Sequence, residues 1–134
     1  MDAVMFYSKS GHSRKIARSL GDALGIPVLE VPETPKKADI LYIVSGIYAS
    51  KGAPELLAAV EKLDPASIKK VVLFTSSAAG STRQDEVRAV LKRKGIPVAA
   101  EEFVCPGQFL FFKRKRPNEQ DCKDAVEFAR KQRG

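Results

Sequence analysis

Cysteine, histidine and tryptophan are scarce in this chain of 134 residues, which holds two cysteines, one histidine and no tryptophan. Cys105 and Cys122 stand apart, with no Cys-x-x-Cys spacing, so neither a disulfide framework nor a thiolate metal site is expected and both thiols read as reduced. The single histidine, His12, removes His-x-x-x-His metal ligation. No Ser-His-Asp arrangement and no carboxylate pair at a strand end can be assembled either. The sequence therefore predicts no metal ligand and no catalytic side-chain cluster. Long apolar runs are missing too: none approaches the ~20 residues that cross a bilayer, and the opening residues carry no apolar signal segment. A cytoplasmic protein without a membrane span, folded as one domain over residues 1–134, is the expectation.

Charge of one sign is short. The formal net charge is +7, and its distribution is uneven: residues 1–67 hold eight basic and eight acidic side chains, residues 68–134 fifteen against eight. The excess clusters at Lys69-Lys70, Lys92-Arg93-Lys94, Lys113-Arg114-Lys115-Arg116 and Arg130-Lys131 with Arg133. Lys92 to Lys94 would close a helix, where cations complement the dipole. The 113–116 run has no such local role and reads either as a solvated loop or as an attractor for an acidic partner. Nucleic acid is the partner least expected, because no aromatics are interleaved with the basic residues. Nothing in the sequence addresses the oligomeric state.

What is present alternates regularly. "AVMFY" (3–7), "PVLEV" (27–31), "ILYIV" (40–44), "VVLFT" (71–75) and "PVAAEEFV" (97–104) read as five strands, the third and fourth apolar enough to be buried on both faces. Between them lie helical stripes: Ile16, Ala17, Leu20, Ala23 and Leu24; Leu56, Leu57, Val60 and Leu63; Val87, Val90 and Leu91; and Cys122, Ala125, Val126 and Ala129. "GIPV" occurs at 25–28 and again at 95–98, each time at a change from helix to strand, with glycine as the left-handed stop and proline forbidding continuation. "ETPKKAD" before the third strand reads as a weak helix or a loop. Such alternation predicts an α/β fold, a doubly wound five-stranded parallel sheet of order 2-1-3-4-5 with helices on both faces.

In that fold ligands bind at the carboxyl ends of the strands, beside the point where the strand order reverses. The loops leaving strands one, three and four are "SKSGHS" (8–13), "SGIYASKGAP" (45–54) and "SSAAGSTR" (76–83), all small, hydroxylated or glycine-rich. In the first, Ser8, Ser10 and Ser13 offer hydroxyls, Gly11 permits a tight turn, and the next helix presents unpaired amides. An N-cap serine in a polar turn would look the same; position at the end of strand one favours a phosphate site.

Ser8-Lys9-Ser10-Gly11-His12-Ser13 resembles the flavodoxin phosphate loop, which holds the phosphate of flavin mononucleotide (FMN) mainly with neutral donors. "VSGIYASKGAPELL" and "LFTSSAAGS" stand where the second and third flavin-contacting loops of short flavodoxin-like proteins lie. The resemblance implies FMN as cofactor and an electron-transfer role with a redox partner protein, for which the positive excess suggests an acidic one. It also implies that Ser45, Gly46, Ile47, Tyr48 and Ala49 flank one face of the isoalloxazine, with Tyr48 stacking on it, and that Thr75, Ser76, Ser77 and Gly80 line its pyrimidine edge.

The chain departs from the pattern in two ways. Its third loop has no aromatic residue, and its net charge is positive where flavodoxins are commonly acidic. "FLFF" at 109–112 reads as edge structure or a core contact ahead of a flavin cover. His12 reads as a solvent-facing side chain whose protonation tunes phosphate affinity, and Tyr7 and Tyr42 as core. Two alternatives accompany the carrier reading: an FMN-dependent oxidoreductase acting on a quinone or porphyrin-type substrate, and a flavin-free module binding an anion or a partner. A phosphoacceptor receiver domain shares the topology but needs acids where this chain has "FYSKS" and "IVSG".

Overall fold

The computed structural model describes residues 2–7, 12–47, 54–77, 85–106 and 119–133. The apolar runs become parallel strands: β1 (Ala3–Tyr7), β2 (Val28–Glu30), β3 (Ala38–Ile47), β4 (Ile68–Ser77) and β5 (Phe103–Pro106). The amphipathic stretches become α1 (His12–Leu24), α2 (Pro54–Glu61), α3 (Asp85–Lys94) and α4 (Glu119–Arg133). The body of the sheet runs β2-β1-β3-β4, and β5 lies along the outer edge of β4 through the pairs Phe74↔Phe103 to Ser77↔Pro106.

Strand alternation sorts the core into two layers. Met5, Leu41, Ile43, Val71 and Leu73 face Leu56, Val60, Val87 and Leu91 of α2 and α3. Val4, Phe6, Tyr42, Val44, Val72 and Phe74 face Ile16, Ala17 and Leu20 of α1 and Ala125 and Ala129 of α4. Because β3 and β4 are covered on both sides, they read as continuous apolar runs. Each helix stripe is narrower than its sequence pattern: Ala23 is exposed, and Leu57, Val90 and Val126 are half-buried. Among the described residues no helix is long and apolar enough to cross a membrane, and no group of three or more His, Cys, Asp or Glu side chains stands ready for a metal.

Both "GIPV" joints end a helix in the same way. Gly25 (φ 66°) and Gly95 (φ 81°) adopt the left-handed conformation. The next amides, Ile26 N–H and Ile96 N–H, then reach back to the carbonyls of Gly21 at 3.2 Å and Leu91 at 2.9 Å. Gly21 has a second duty, since a Cβ there would run into Val28 Cγ2 and stand 3.2 Å from the Ile26 carbonyl oxygen. Gly21→Ala should therefore lower stability by about 1–2 kcal/mol in urea denaturation, overpacking outweighing the helix propensity gained. A variant more stable than the parent would show that α1 does not lie that close to β2.

The sheet's second connection contains no helix. Register places Glu30 level with Phe6 and hence with Val44, so the chain must return to the level of Ala38, about 20 Å along the strands, while crossing β1. A turn closed by the Glu33 amide on the Glu30 carbonyl at 2.9 Å starts the return, and residues 33–37 then span the distance only when nearly extended; as a helix they would cover about 8 Å. Val31 packs on the α2/α3 layer as the segment passes, and the Val31–Pro32 peptide bond is cis.

The predicted fifth strand, 97–104, is broken and shifted. Val98 makes an isolated bridge to Val71, and regular pairing resumes only at Phe103. Arg88 is the cause: its guanidinium donates to the carbonyl of Ala99 at 3.0 Å, an acceptor that a continuous strand would turn to β4, and to that of Ala100 at 3.4 Å. At the opposite end of the sheet, Asp2 ties three elements together. It accepts the Ile40 amide at 3.2 Å, the Tyr42 hydroxyl at 3.4 Å and Arg133 Nε at 3.1 Å. Burial, reinforced by the Asp2 charge, pushes the Tyr42 phenol well above its ordinary range.

Candidate functional site

Parallel register lines up the roots of the predicted loops. Tyr7, Ser45, Thr75 and Val104 form one row across β1, β3, β4 and β5; Gly46, Ser76 and Cys105 form the next row, and Ile47, Ser77 and Pro106 the last. From β1 the chain crosses to β2 on one side, and from β3 it crosses to β4 on the other. The reversal opens a crevice between the carboxyl ends of β1 and β3, where an open α/β sheet receives ligands. Only residues 8–11 separate β1 from α1, so the first unpaired amides of α1 stand at that crevice. Its first turn contains no acidic residue, whereas α2 opens with Glu55.

Ser45 and Thr75 are buried at 0% and 1% exposure. Sharing a strand face with Ile43 and Leu73, they stand on the α2/α3 side of the sheet. Polar groups this deep need partners. The Thr75 hydroxyl donates to Glu102 Oε2 at 2.9 Å, and Glu102 Oε1 accepts from Arg88 Nε and NH2, each at 3.3 Å. Side-chain exposure is 3% for Glu102 and 20% for Arg88, so this ion pair belongs to the interior. It joins α3, the end of β4 and the approach to β5 directly beneath the third loop. The Thr75 hydroxyl is thus directed at a protein carboxylate, and what it brings to the edge above is the placement of its backbone.

The structure brings Ser45, Gly46, Ile47, Thr75, Ser76 and Ser77 together on adjoining rows, with His12 and Ser13 opening α1 beside them. Ser8, Lys9, Ser10, Gly11, Tyr48, Ala49 and Gly80 lie outside the described residues, as do "FLFF" and the 113–116 run. Arg88 and Glu102 went unforeseen in the sequence. The available signal was Glu101-Glu102 inside an otherwise apolar run, where alternation turns one of the two carboxylates inward and obliges a cation to meet it.

No model of a known protein family matches the sequence, and no curated protein matches it. Solved structures do match in shape. A short-chain flavodoxin associated with a non-canonical PDU bacterial microcompartment aligns at TM-score 0.70 with 21% identity, over 96% of this chain and 93% of that one. The fold is flavodoxin-like. The two-electron-reduced flavodoxin of Megasphaera elsdenii aligns at TM-score 0.62 with 21% identity, over 98% and 99% of the two chains. An azoreductase, AzrA, aligns at TM-score 0.62 with 13% identity, over 98% and 100%. Flavodoxins and an azoreductase are thus built on the same frame, so the fold does not by itself assign a function.

Proposed function

We propose that this chain binds FMN at the β1/β3 crevice and acts as an electron carrier of the flavodoxin type. One observation carries the reading: α1 opens without an acidic side chain at the switch point, immediately after a serine-rich stretch of sequence and beside the hydroxyl-bearing rows that end β3 and β4. The chemistry of this donor set fits a phosphate dianion and a planar ring. Amides of the first α1 turn and the hydroxyls of Ser8, Ser10 and Ser13 are suited to hold the phosphate with neutral donors. The residues following Ser45 and Thr75 would flank the ring, with Tyr48 stacking on it, and the Arg88–Glu102 pair would keep the root of the third loop in place. When bound, FMN supplies the redox chemistry, while the protein orients it and sets its potential through backbone contacts and nearby charge.

Purified protein mixed with FMN should become yellow and retain the flavin through desalting; colourless protein that refuses added FMN would reject the proposal. Ser10→Ala removes a hydrogen bond to a charged group, worth about 1.5–3 kcal/mol, and should weaken FMN roughly tenfold or more by fluorescence titration. An unchanged dissociation constant would place the phosphate elsewhere. The likeness to an azoreductase supports a second, enzyme reading, in which the chain would hold flavin for the reduction of a quinone-type substrate. Turnover of a quinone much faster than of a protein acceptor would favour it.

A further inference from the structure

Three of the basic clusters that look scattered in the sequence, 69–70, 92–94 and 130–133, converge in the fold. Parallel strands joined by helices turn the last turn of each helix toward the amino end of the sheet. Lys92 to Lys94 close α3 and Arg130, Lys131 and Arg133 close α4, while Lys69 and Lys70 begin β4 and Lys36 and Lys37 precede β3. Contacts confirm the gathering: Arg93 pairs with Glu61 at the end of α2, Lys94 Nζ donates to the Glu61 carbonyl at 2.7 Å, and Arg133 meets Asp2 before β1.

Most acids at this end are already engaged, the exposed Asp22 in the last turn of α1 being an exception. Asp39 pairs with Lys69 at 3.3 Å, Glu61 with Arg93 and Asp2 with Arg133, and Asp64 accepts from Ala66 and Ser67. The side chains of Lys36, Lys37, Lys62, Lys70, Lys92 and Lys131 make no ion pair or hydrogen bond among the described residues, and all but half-buried Lys70 are exposed. They occupy both helical layers and the sheet edge between them, a surface about 20 Å across. At the other end of the sheet three of the four described helices open on acidic residues, Glu55 in α2, Asp85-Glu86 in α3 and Glu119 in α4, while α1 opens without one.

We infer that the amino end of the sheet is a docking surface for the phosphate backbone of a nucleic-acid duplex. A protein partner needs an apolar centre to its interface. The exposed non-polar residues here are small or proline: Pro27, Pro65, Ala66 and Pro97, with Leu63, Ile68 and Ile96 buried beneath them. Interfaces with nucleic acid are polar and dominated by positive charge, and backbone contact needs no aromatic side chain. The missing interleaved aromatics argue against stacking on single strands and leave a duplex open. Such docking is sequence-independent. It lies a strand's length, about 30 Å, from the carboxyl-end crevice, so it leaves that crevice free and does not depend on flavin.

Fluorescence anisotropy with a labelled random-sequence DNA duplex tests this on the whole protein. Binding is expected in the micromolar range at about 50 mM salt and should weaken roughly 100-fold by about 200 mM, the release expected for about four neutralised phosphates. The triple variant Lys36→Glu, Lys92→Glu, Lys131→Glu, with one change from each layer, should weaken binding at least tenfold. Its Lys→Gln counterpart repeats the test with smaller perturbation and should flatten the salt dependence. Neutralising Lys113, Arg114, Lys115 and Arg116 to Gln should leave affinity within about threefold. Unchanged binding in the amino-end variants, or loss that follows 113–116 instead, overturns the inference. So does retention of polyglutamate or of phosphatidylserine vesicles as tight as that of the duplex at equal salt, which would assign the surface to an acidic protein or a membrane.

Discussion

Arg88→Met should lower stability by about 3–5 kcal/mol, because it leaves the Glu102 carboxylate inside the protein without its cation. The methionine fills most of the arginine's volume, so the loss reports charge more than packing. Removing the guanidinium also strips a donor from the carbonyls of Ala99 and Ala100, and the 99–102 segment should exchange its amides faster than in the parent. A double variant with Glu102→Gln sheds the stranded charge while keeping an acceptor for the Thr75 hydroxyl. It should recover about half or more of the loss in urea denaturation, the non-additivity expected of one network. If the double variant is as unstable as the sum of the two single changes, the two side chains act independently and the pair is solvated rather than interior. A parallel flavin titration would show whether loosening the end of β4 alters the proposed FMN binding.

Phe74→Ala is the other large effect, again about 3–5 kcal/mol. The ring is fully buried in β4 and meets three others: Tyr42 at 6.0 Å, Phe103 at 5.8 Å and Phe128 at 5.5 Å between centroids. These neighbours come from β3, β5 and α4, so deletion opens a void shared by three elements that no single side chain can refill. Phe128→Ala, at a half-buried position, should cost less, since one side of that ring already meets solvent. Thermal unfolding followed by near-ultraviolet circular dichroism separates the two. A loss below about 1.5 kcal/mol at Phe74 would mean that α4 can slide inward to close the gap.

These positions show where the sequence is legible. Ile16, Leu20, Val60, Val87 and Ala125 announce their burial through helical spacing, and the apolar runs of β3 and β4 announce an interior sheet. Strand ends are less visible: β3 continues to Ile47 and β4 starts at Ile68, through serines and lysines that look like loop. Parallel neighbours supply backbone hydrogen bonds whatever the side chains are, so pairing outruns the apolar pattern. The break in "PVAAEEFV" was illegible for a related reason, because its cause, Arg88, is remote in sequence and reads there as one more solvent-facing charge of α3. Likewise the meeting of Arg88, Glu102 and Thr75 depends on register, which no local spacing encodes. For the candidate site, the sequence anticipated the reversal of strand order between β1 and β3, while the burial of Ser45 and Thr75 emerged only from the stacking of strands.

Beyond its opening turn at Glu30–Glu33, the stretch joining β2 to β3 has no slack. Shortening it by two residues would force either the edge strand to peel from its neighbour or the entry to β3 to fray, whereas lengthening it would be absorbed as a bulge at the surface. A segment grafted onto this flank of the molecule should therefore be added to the seven native residues, not exchanged for them.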